Sequence, residues 1–484
     1  MDKEKTRKIL LIFAVAYWGL VVLIYAIASP QFHYSAATSN TLSPVSVVDE
    51  IVDGDVVRQR IVLPADNVDA IELMSVTYGR ENHGTMNIRV LNADSEALGQ
   101  CAVDISQLTA GAYTRFSLDA PIQGYRDEIV TLEITTQGCD YGNAVGLYKG
   151  NTVTTGRFDM VKNVEEQDRF TINGTVGDGM LCIKLNGINR LNFYRQYWFI
   201  TGGIFVACAA VCVYWWHKAL RGYNNPLVMV STLFIRYGFL MRQLVARDFK
   251  TKYKRSMLGM AWSFLNPLLT MSVQYVVFST LFKSNVENYR IYLLSGIVFF
   301  NFFNEAVSMC MTSITGNASL IKKVYMPKYI YPLSRIISSL INFGLALIPL
   351  ILVMIFTGTP LRPSMLLLIY VILCQLGFVT GMGLLLTTSM TFFQDTQFLW
   401  GVVSMMWMYL TPVFYPESII PQNMLTVYHM NPLYQYLTFA RVCIIDGVSP
   451  APTAYLWCIV SSIVVLLIGI LVFKKQQDKF VLNI

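Results

Sequence analysis

The sequence predicts an α-helical polytopic membrane protein of about eight spans that carries an extracytoplasmic all-β sandwich of jelly-roll type. Three observations predict it. Of the 484 residues, 54% are hydrophobic and only 14% charged, against roughly 25% charged in soluble domains. Long uncharged runs recur through the chain, and mean hydropathy is +0.47. Charge is also divided unevenly. Residues 32–196 hold 13 Lys/Arg and 21 Asp/Glu, whereas the remaining 319 residues hold 24 Lys/Arg and 9 Asp/Glu. An acidic soluble domain inside a basic, membrane-embedded chain satisfies all three, and a wholly cytosolic enzyme is excluded.

A spanning helix needs about 20 apolar residues. The runs that supply them are 9–28, 197–216, 256–282, 291–316, 336–357, 365–393, the short 397–410, and 455–473. An even number of spans puts both termini on one side. Short loops rich in Lys/Arg face the cytoplasm. On this threading 20 of the 37 basic residues fall on inner segments and 4 (Lys283, Arg290, Arg362 and Arg441) on outer loops of the second half. Both termini are therefore expected in the cytoplasm and residues 32–196 outside. Ala26-Ile27-Ala28 imitates a signal-peptidase site, but twenty uncharged residues exceed a 7–15-residue signal core. A retained anchor over 1–31 is the expectation.

Within 32–196, segments 56–63, 70–78, 85–91, 129–135 and 144–148 mix β-branched and polar residues, with Gly, Asn, Asp or Pro between them. Short strands at this spacing predict a sandwich. The stretches Leu63-Pro64-Ala65-Asp66-Asn67, Tyr78-Gly79-Arg80, Phe116-Ser117-Leu118 and Gly142-Asn143-Ala144-Val145 resemble carbohydrate-binding jelly-roll modules of bacterial surface proteins. Aromatic rings that stack on pyranose faces, beside planar polar groups, suit such a site. The sugar-binding candidates are Tyr78, Arg80, Asn82, His83, Tyr125, Tyr141 and Asn143. The competing reading gives the tyrosines to core packing and Asn143 to a turn. Three cysteines here leave one disulfide open, with its pairing undecided.

Residues 231–254 form a different pattern. Leu233, Tyr237, Leu240, Met241 and Leu244 share one helical face, while Arg236, Gln243, Arg247, Lys250 and Lys254 share another. A basic amphipathic helix of this kind lies in a membrane interface, with its apolar side down and its cations among lipid phosphates. Arg255 extends the basic face.

The stretch 244–256 running into Leu258-Gly259-Met260-Ala261-Trp262-Ser263-Phe264-Leu265-Asn266-Pro267 closely resembles the membrane subunits of type-2 ABC exporters of lipid-linked polysaccharides, the O-antigen and teichoic-acid permeases. Asn317-Ala318-Ser319-Leu320-Ile321-Lys322-Lys323 with Met326-Pro327-Lys328 matches in order. So do Phe392-Phe393-Gln394-Asp395, Thr411-Pro412-Val413-Phe414-Tyr415-Pro416 and Asn431-Pro432. The resemblance covers about 232–484. Gln394 departs from it, since the family more often has Arg there, and residues 1–230 are an addition.

The resemblance implies a six-span permease over 256–484, preceded by an anchor (1–31), the outer domain (32–196), a second transmembrane helix with linker (197–230) and the interfacial helix (231–255). It implies a coupling helix docking to an ATPase, carried here by Asn317, Leu320, Ile321, Lys322, Lys323 and Pro327. It implies a homodimer with two copies of a separate ATPase that binds the ATP and Mg, and an undecaprenyl-diphosphate-linked glycan as cargo. The diphosphate would meet Arg236, Arg247, Lys250, Lys254 and Arg255 among membrane lipids. Trp262, Tyr275, Phe278, Tyr409, Phe414 and Tyr415 would line the glycan channel, against the plainer reading of an interfacial aromatic belt. Residues 412–432, short and broken by prolines, read as a re-entrant hairpin at the outer leaflet. Glu305, a carboxylate in an apolar run, is expected to face a polar interior.

No G-x-x-x-x-G-K-[ST] phosphate loop is present, so no cofactor, metal or catalytic residue is expected in this chain, nor a nucleic-acid partner. The alternatives are a drug or lipid exporter of the same superfamily and a membrane glycosyltransferase or polymerase with a surface sugar-binding domain. The second is weakened by the scarcity of carboxylates near the membrane. A receptor reading lacks a cytoplasmic output domain.

Overall fold

A computed structural model describes residues 3–483 apart from 40, 43, 156–159, 192, 222–234, 255–257, 283–287, 324–325, 416–419 and 421. The chain divides into two compact units, residues 30–195 and residues 1–29 with 196–484.

The 30–195 unit is built from antiparallel sheets. A seven-stranded sheet runs Tyr34–Thr38, Ile183–Arg190, Asn67–Val76, Gly146–Gly150 and Met180–Leu181, with Ser46–Val47 and Tyr113–Gln123 attached. A six-stranded sheet runs Thr175–Val176, Thr171–Ile172, Val56–Val62, Ile129–Gln137, Thr85–Leu91 and Ala97–Asp104. A three-stranded ribbon adds Met160–Asn163, Thr152–Thr155 and Thr41–Leu42. Alternate residues of Val56–Val62 are buried, which is the period-two pattern that one covered face imposes. Val57, Ile61, Ile88, Val90, Leu132 and Ile134 of the smaller sheet meet Val68, Ile71, Leu73, Leu147, Ile183 and Leu185 of the larger in one core. Two antiparallel sheets face to face over a shared core are the sandwich that strand spacing predicts.

Asn173-Gly174 closes the hairpin between Thr171–Ile172 and Thr175–Val176, with both residues at positive φ (51° and 86°), the pairing a type I′ turn demands. Cys101, Cys139 and Cys182 are all buried and unbridged. The first strand pairs with the last, Tyr34 opposite Arg190 through Thr38 opposite Asn186, so the chain enters and leaves this unit side by side.

The helical unit contains α1 (Lys3–His33), α2 (Phe193–Leu220), α3 (Gly238–Tyr253), α4 (Trp262–Phe282), α5 (Tyr289–Met311), α6 (Ala318–Lys323), α7 (Ile330–Phe356), α8 (Leu368–Phe392), α9 (Thr396–Tyr409), α10 (Gln422–His429), α11 (Pro432–Arg441) and α12 (Pro452–Gln476). Among the described residues six helices are long and apolar enough to cross a membrane: α1, α2, α5, α7, α8 and α12. The other two expected spans correspond to α4 and α9. Helix α4 has the 21 residues that a crossing needs. Helix α9 has 14 residues, about 21 Å at 1.5 Å each, short of the roughly 30 Å hydrocarbon core.

Helix α5 is the hub, buried from Tyr289 to Met311 on most sides. Helices α8 and α12 approach most closely at Gly381 and Gly469, where a Cβ on either would collide with the opposite backbone. Small residues permit that approach between membrane helices. Helices α1 and α2 are tied by Tyr17 Oη donating to Thr201 O (2.7 Å) and Tyr197 Oη donating to Val21 O (2.7 Å).

Candidate functional site

The apolar face of α3 is covered by protein, which corrects the expectation that it turns into lipid. Met241 and Leu244 are buried with Ile314, Ile330, Tyr331, Leu384, Phe473 and Phe480, while Tyr237 and Leu240 pack at the edge. The periodicity is real, but its partner is the permease core. Leu233 and Arg255 fall outside the described residues.

With that face fixed, the polar side of α3 lines a cavity of about 520 Å³ against α5 and α7. Arg335 Nη1 stands 3.1 Å from Asp248 Oδ1, and Arg247 Nη2 stands 3.6 Å from the same oxygen. Ser338 Oγ donates to Asp248 Oδ2 at 3.4 Å. Asp248 is buried, its side chain only 5% exposed, and a buried carboxylate is tolerable only when so partnered. Arg247 Nη2 also donates to Asn317 Oδ1 (3.0 Å), and Asn317 Nδ2 donates to Ser313 O (2.8 Å). The residue that opens the expected coupling segment is thus bonded to the amphipathic helix.

Glu305 faces the same polar interior. Its Oε1 accepts from Lys252 Nζ (2.7 Å) and from Asn342 Nδ2 (2.7 Å). Lys252, Glu305 and Asn342 also line a second cavity of about 290 Å³, with Trp262, Asn266, Asn301 and Phe302. Of the expected diphosphate residues, Arg247 lines the first cavity, whereas Arg236, Lys250 and Lys254 are exposed and line neither. Lys252 and Arg335 are the cations that sequence reasoning left out of the site. Helical spacing could have found Lys252, one turn after Asp248, but Arg335 lies 87 residues from it in sequence and carries no local signal.

The coupling candidates separate by exposure. Leu320 and Ile321 of α6 pack inward on the buried cluster around Ile314 and Tyr331. Lys322 and Lys323 are exposed, Asn317 is buried and Pro327 is half-buried. Lys328 Nζ donates to Gln477 O at 2.6 Å, which ties the segment to the end of α12.

The channel aromatics also separate. Trp262, at the start of α4, is 45% exposed and lines the second cavity. Tyr275 lies about 20 Å further along that helix. The other five candidates collect at this far end around residues 411–415. Phe278 stacks on Phe414 (5.6 Å), Tyr415 Oη donates to Tyr409 O (2.6 Å), and Tyr275 lies 6.2 Å from Tyr289. Buried Arg441 organises the turn. Its Nη1 donates to Pro412 O (2.7 Å), its Nη2 to Tyr292 O and Val413 O (both 3.1 Å), and it lies 3.4 Å over the Tyr292 ring. Arg441 is therefore a structural cation, not an outer-loop charge. Asn431 caps α11 by accepting from Leu433 N, with Pro432 at the first helical position, the start that Asn-Pro encodes. The rest of the expected hairpin at 416–419 and 421 lies outside the described residues.

In the β unit Asn143 joins the candidate loops. Its Oδ1 accepts from His83 N (2.8 Å) and its Nδ2 donates to His83 O (2.9 Å). Arg80 pairs with Glu50 and donates to Asn82 Oδ1 (3.1 Å), while Asn82 is buried and donates to Thr77 O. Arg80, Asn82 and Asn143 thus hold the loops together. Tyr141 is 82% exposed and Tyr78 44%, with burial and Asp49 raising the Tyr78 phenol above its ordinary pKa. Tyr125 packs partly buried against the sandwich core.

Comparisons with known proteins converge on the helical unit. Residues 240–445 match the family described as ABC-2 type transporter. Over 249 residues the chain is 27% identical to the O-antigen export system permease protein RfbA of Klebsiella pneumoniae, covering 50% of this chain and 95% of that protein. It is 27% identical over 248 residues to the RfbA permease of Myxococcus xanthus (51% and 95%). It is 23% identical over 240 residues to the capsule polysaccharide export inner-membrane protein CtrC of Neisseria meningitidis (48% and 89%). Over residues 240–445, which take in the amphipathic helix α3 and the segment after α5, the chain is thus similar to ABC-2 type transporters and to permeases named for O-antigen and capsule polysaccharide export.

Proposed function

We propose that this chain moves a lipid-linked polysaccharide outward across the bacterial cytoplasmic membrane, as a homodimer working with two copies of a separate ATPase that binds the ATP and Mg. The observation that carries the reading is that 95% of the length of permeases named for O-antigen export aligns here, over the region that forms the two polar cavities. On this reading α3 and α6 lie at the cytoplasmic face, both termini are cytoplasmic, and residues 30–195 are outside. An undecaprenyl diphosphate head suits the first cavity, where Arg247, Lys252 and Arg335 gather, since guanidinium and ammonium groups bind phosphate oxygens through charge-assisted hydrogen bonds. The sugar chain suits the aromatic groups at either end of α4. The outer unit, with Tyr78 and Tyr141 exposed, receives the emerging glycan.

Deletion of this gene in its own organism tests the proposal. The expected phenotype is a surface stripped of one polysaccharide while its lipid-linked form accumulates on the cytoplasmic leaflet. Normal surface glycan would refute it.

A further inference from the structure

The six-stranded sheet of the β unit turns Val57, Ile61, Ile88 and Leu132 to the core, so the residues that alternate with them stand on its other face. On that face the strand register sets Arg58 opposite Glu133, and Arg89 opposite Glu133 from the other side. One carboxylate thus lies between two guanidiniums. Arg60 follows on the strand of Arg58, about 7 Å further along the same face. Arg58 holds Glu133 through Nε (2.9 Å) and Nη2 (2.7 Å), and the side chain of Glu133 is 14% exposed against 57% for Arg58. Arg60 and Arg89 are exposed, and among the described residues neither makes an ion pair or a side-chain hydrogen bond. Asp104, at the rim, is taken up by Ser106. The centre of the face therefore carries three cations to one carboxylate, although residues 32–196 hold 13 Lys/Arg and 21 Asp/Glu. A positive patch on an acidic unit draws anions, and guanidinium forks match carboxylates in a bidentate manner. Thr131 lies opposite Arg60 and Gln100 opposite Arg89, with Asn87 and Thr135 paired in the next row. Their hydroxyl and amide groups both donate and accept, which suits a ligand rich in hydroxyls.

We propose that this sheet face binds an acidic polysaccharide, one whose sugars carry carboxylate groups: Arg60, Arg89 and the unused N–H groups of Arg58 take the carboxylates, and the Thr, Asn and Gln side chains take the hydroxyls. Glu133 orients Arg58 and also competes for it. The site lies on the strands themselves, not on the loops that carry Tyr78 and Tyr141. The inference rests on the export reading for the supply of a glycan and narrows that glycan to an anionic one. Its test needs neither ATPase nor transport, so the two can fail separately.

The test uses the full chain in phosphatidylcholine nanodiscs. Ala102→Cys, exposed on the edge strand opposite Asn87, carries an environment-sensitive fluorophore, and the chain without that substitution gives the background of the native cysteines. The probes are an oligogalacturonate and a neutral dextran oligomer of equal length. Oligogalacturonate should change the emission saturably, and less tightly at high salt, while dextran should not. Arg58→Ser/Arg60→Ser/Arg89→Ser should raise the half-saturating concentration at least about tenfold. Arg58→Lys/Arg60→Lys/Arg89→Lys keeps the charge but loses the fork, and should raise it about threefold. Glu133→Gln should lower it, since the competing carboxylate is gone. All these residues lie off the core, and equal melting temperatures check that the variants are folded. Val62 and Ile129 form an exposed apolar pair at one end of the face (43% and 50%), so phosphatidylglycerol vesicles supply the second arm. A response to the vesicles with none to oligogalacturonate assigns the face to lipid and overturns the proposal. An equal response to dextran, or a half-saturating concentration unchanged by the triple serine variant, overturns it as well.

Discussion

The guanidinium of Arg335 stands 3.1 Å from the buried carboxylate of Asp248, and this contact fastens the amphipathic helix α3 to the transmembrane helix α7. Arg247, adjacent to Asp248, reaches Asn317 at the entry to α6. One short run of α3 thus holds both a spanning helix and the segment expected to meet the ATPase. Removing one partner of a buried pair costs about 3–5 kcal/mol because a charge is left behind. Asp248→Ala should therefore lower the melting temperature of the purified protein markedly, and the double variant Asp248→Ala/Arg335→Met should recover part of the loss. Equal melting of the single variant and the parent would show that the pair does not hold α3.

The α6 segment presents two different surfaces, and substitutions should separate them. Leu320 and Ile321 pack on the buried cluster, so replacing both with Asp should reduce the amount of folded permease in the membrane. Lys322→Glu/Lys323→Glu changes only exposed side chains. It should leave folding intact and weaken ATPase stimulation several-fold in the reconstituted complex. Full stimulation by the lysine variant at normal complex formation would remove these lysines from the docking surface.

Arg441 gives three hydrogen bonds to backbone carbonyls of Pro412, Val413 and Tyr292. Arg441→Met leaves Val413 O without its donor, at a cost of about 1–3 kcal/mol for a buried group left unsatisfied, while Pro412 O and Tyr292 O keep Tyr292 Oη and Ser295 Oγ. Cysteine accessibility at position 411 or 413 should rise together with a drop in thermal stability. An unchanged profile at both would show that the turn stands without it.

The β unit has its own core, so residues 30–195 should fold when expressed alone. Burial, first, pushes the thiols of Cys101 and Cys182 up to about 11 from 9.0 in the unfolded chain. Below pH 9 both states keep the protons and stability is at its full value. Above it the unfolded chain releases protons that the fold retains, so stability falls as pH rises from about 9 to about 11. Denaturant midpoints at pH 8 and pH 10.5 should show this loss, and Cys101→Ala/Cys182→Ala should reduce the difference. A pH-independent midpoint would contradict the burial of these thiols.

Much of this architecture is legible in the sequence because its physics is local. Apolar runs mark α1, α2, α5, α7, α8 and α12, and alternation marks Val56–Val62 and Thr85–Leu91. The isolated charge of Glu305 points to a polar interior before any fold is known. What the sequence hides is what faces what. Nothing local tells that the apolar stripe of α3 meets Phe473 and Phe480 from the far end of the chain, or that Lys252 finds Glu305 53 residues away. Arg441 reads as an outer-loop cation because its partners are carbonyls, which composition does not reveal. The weak span 397–410 overstates its reach, since apolarity alone does not give length. The loop candidates Arg80, Asn82 and Asn143 have the chemistry of a sugar site, and in the structure Arg80 bonds Asn82 while Asn143 bonds the His83 backbone.

The central claim is that this permease carries a lipid-linked polysaccharide outward at the expense of ATP. Its most direct measurement uses inside-out membrane vesicles containing the permease and its ATPase, with the lipid-linked glycan presented on the exposed face and a glycan-degrading enzyme added afterwards. The account predicts that ATP moves glycan into the lumen, where it is protected from digestion, and that Asp248→Ala/Arg247→Ala abolishes the protection. Complete digestion with ATP present, in vesicles whose complex hydrolyses ATP, would contradict it.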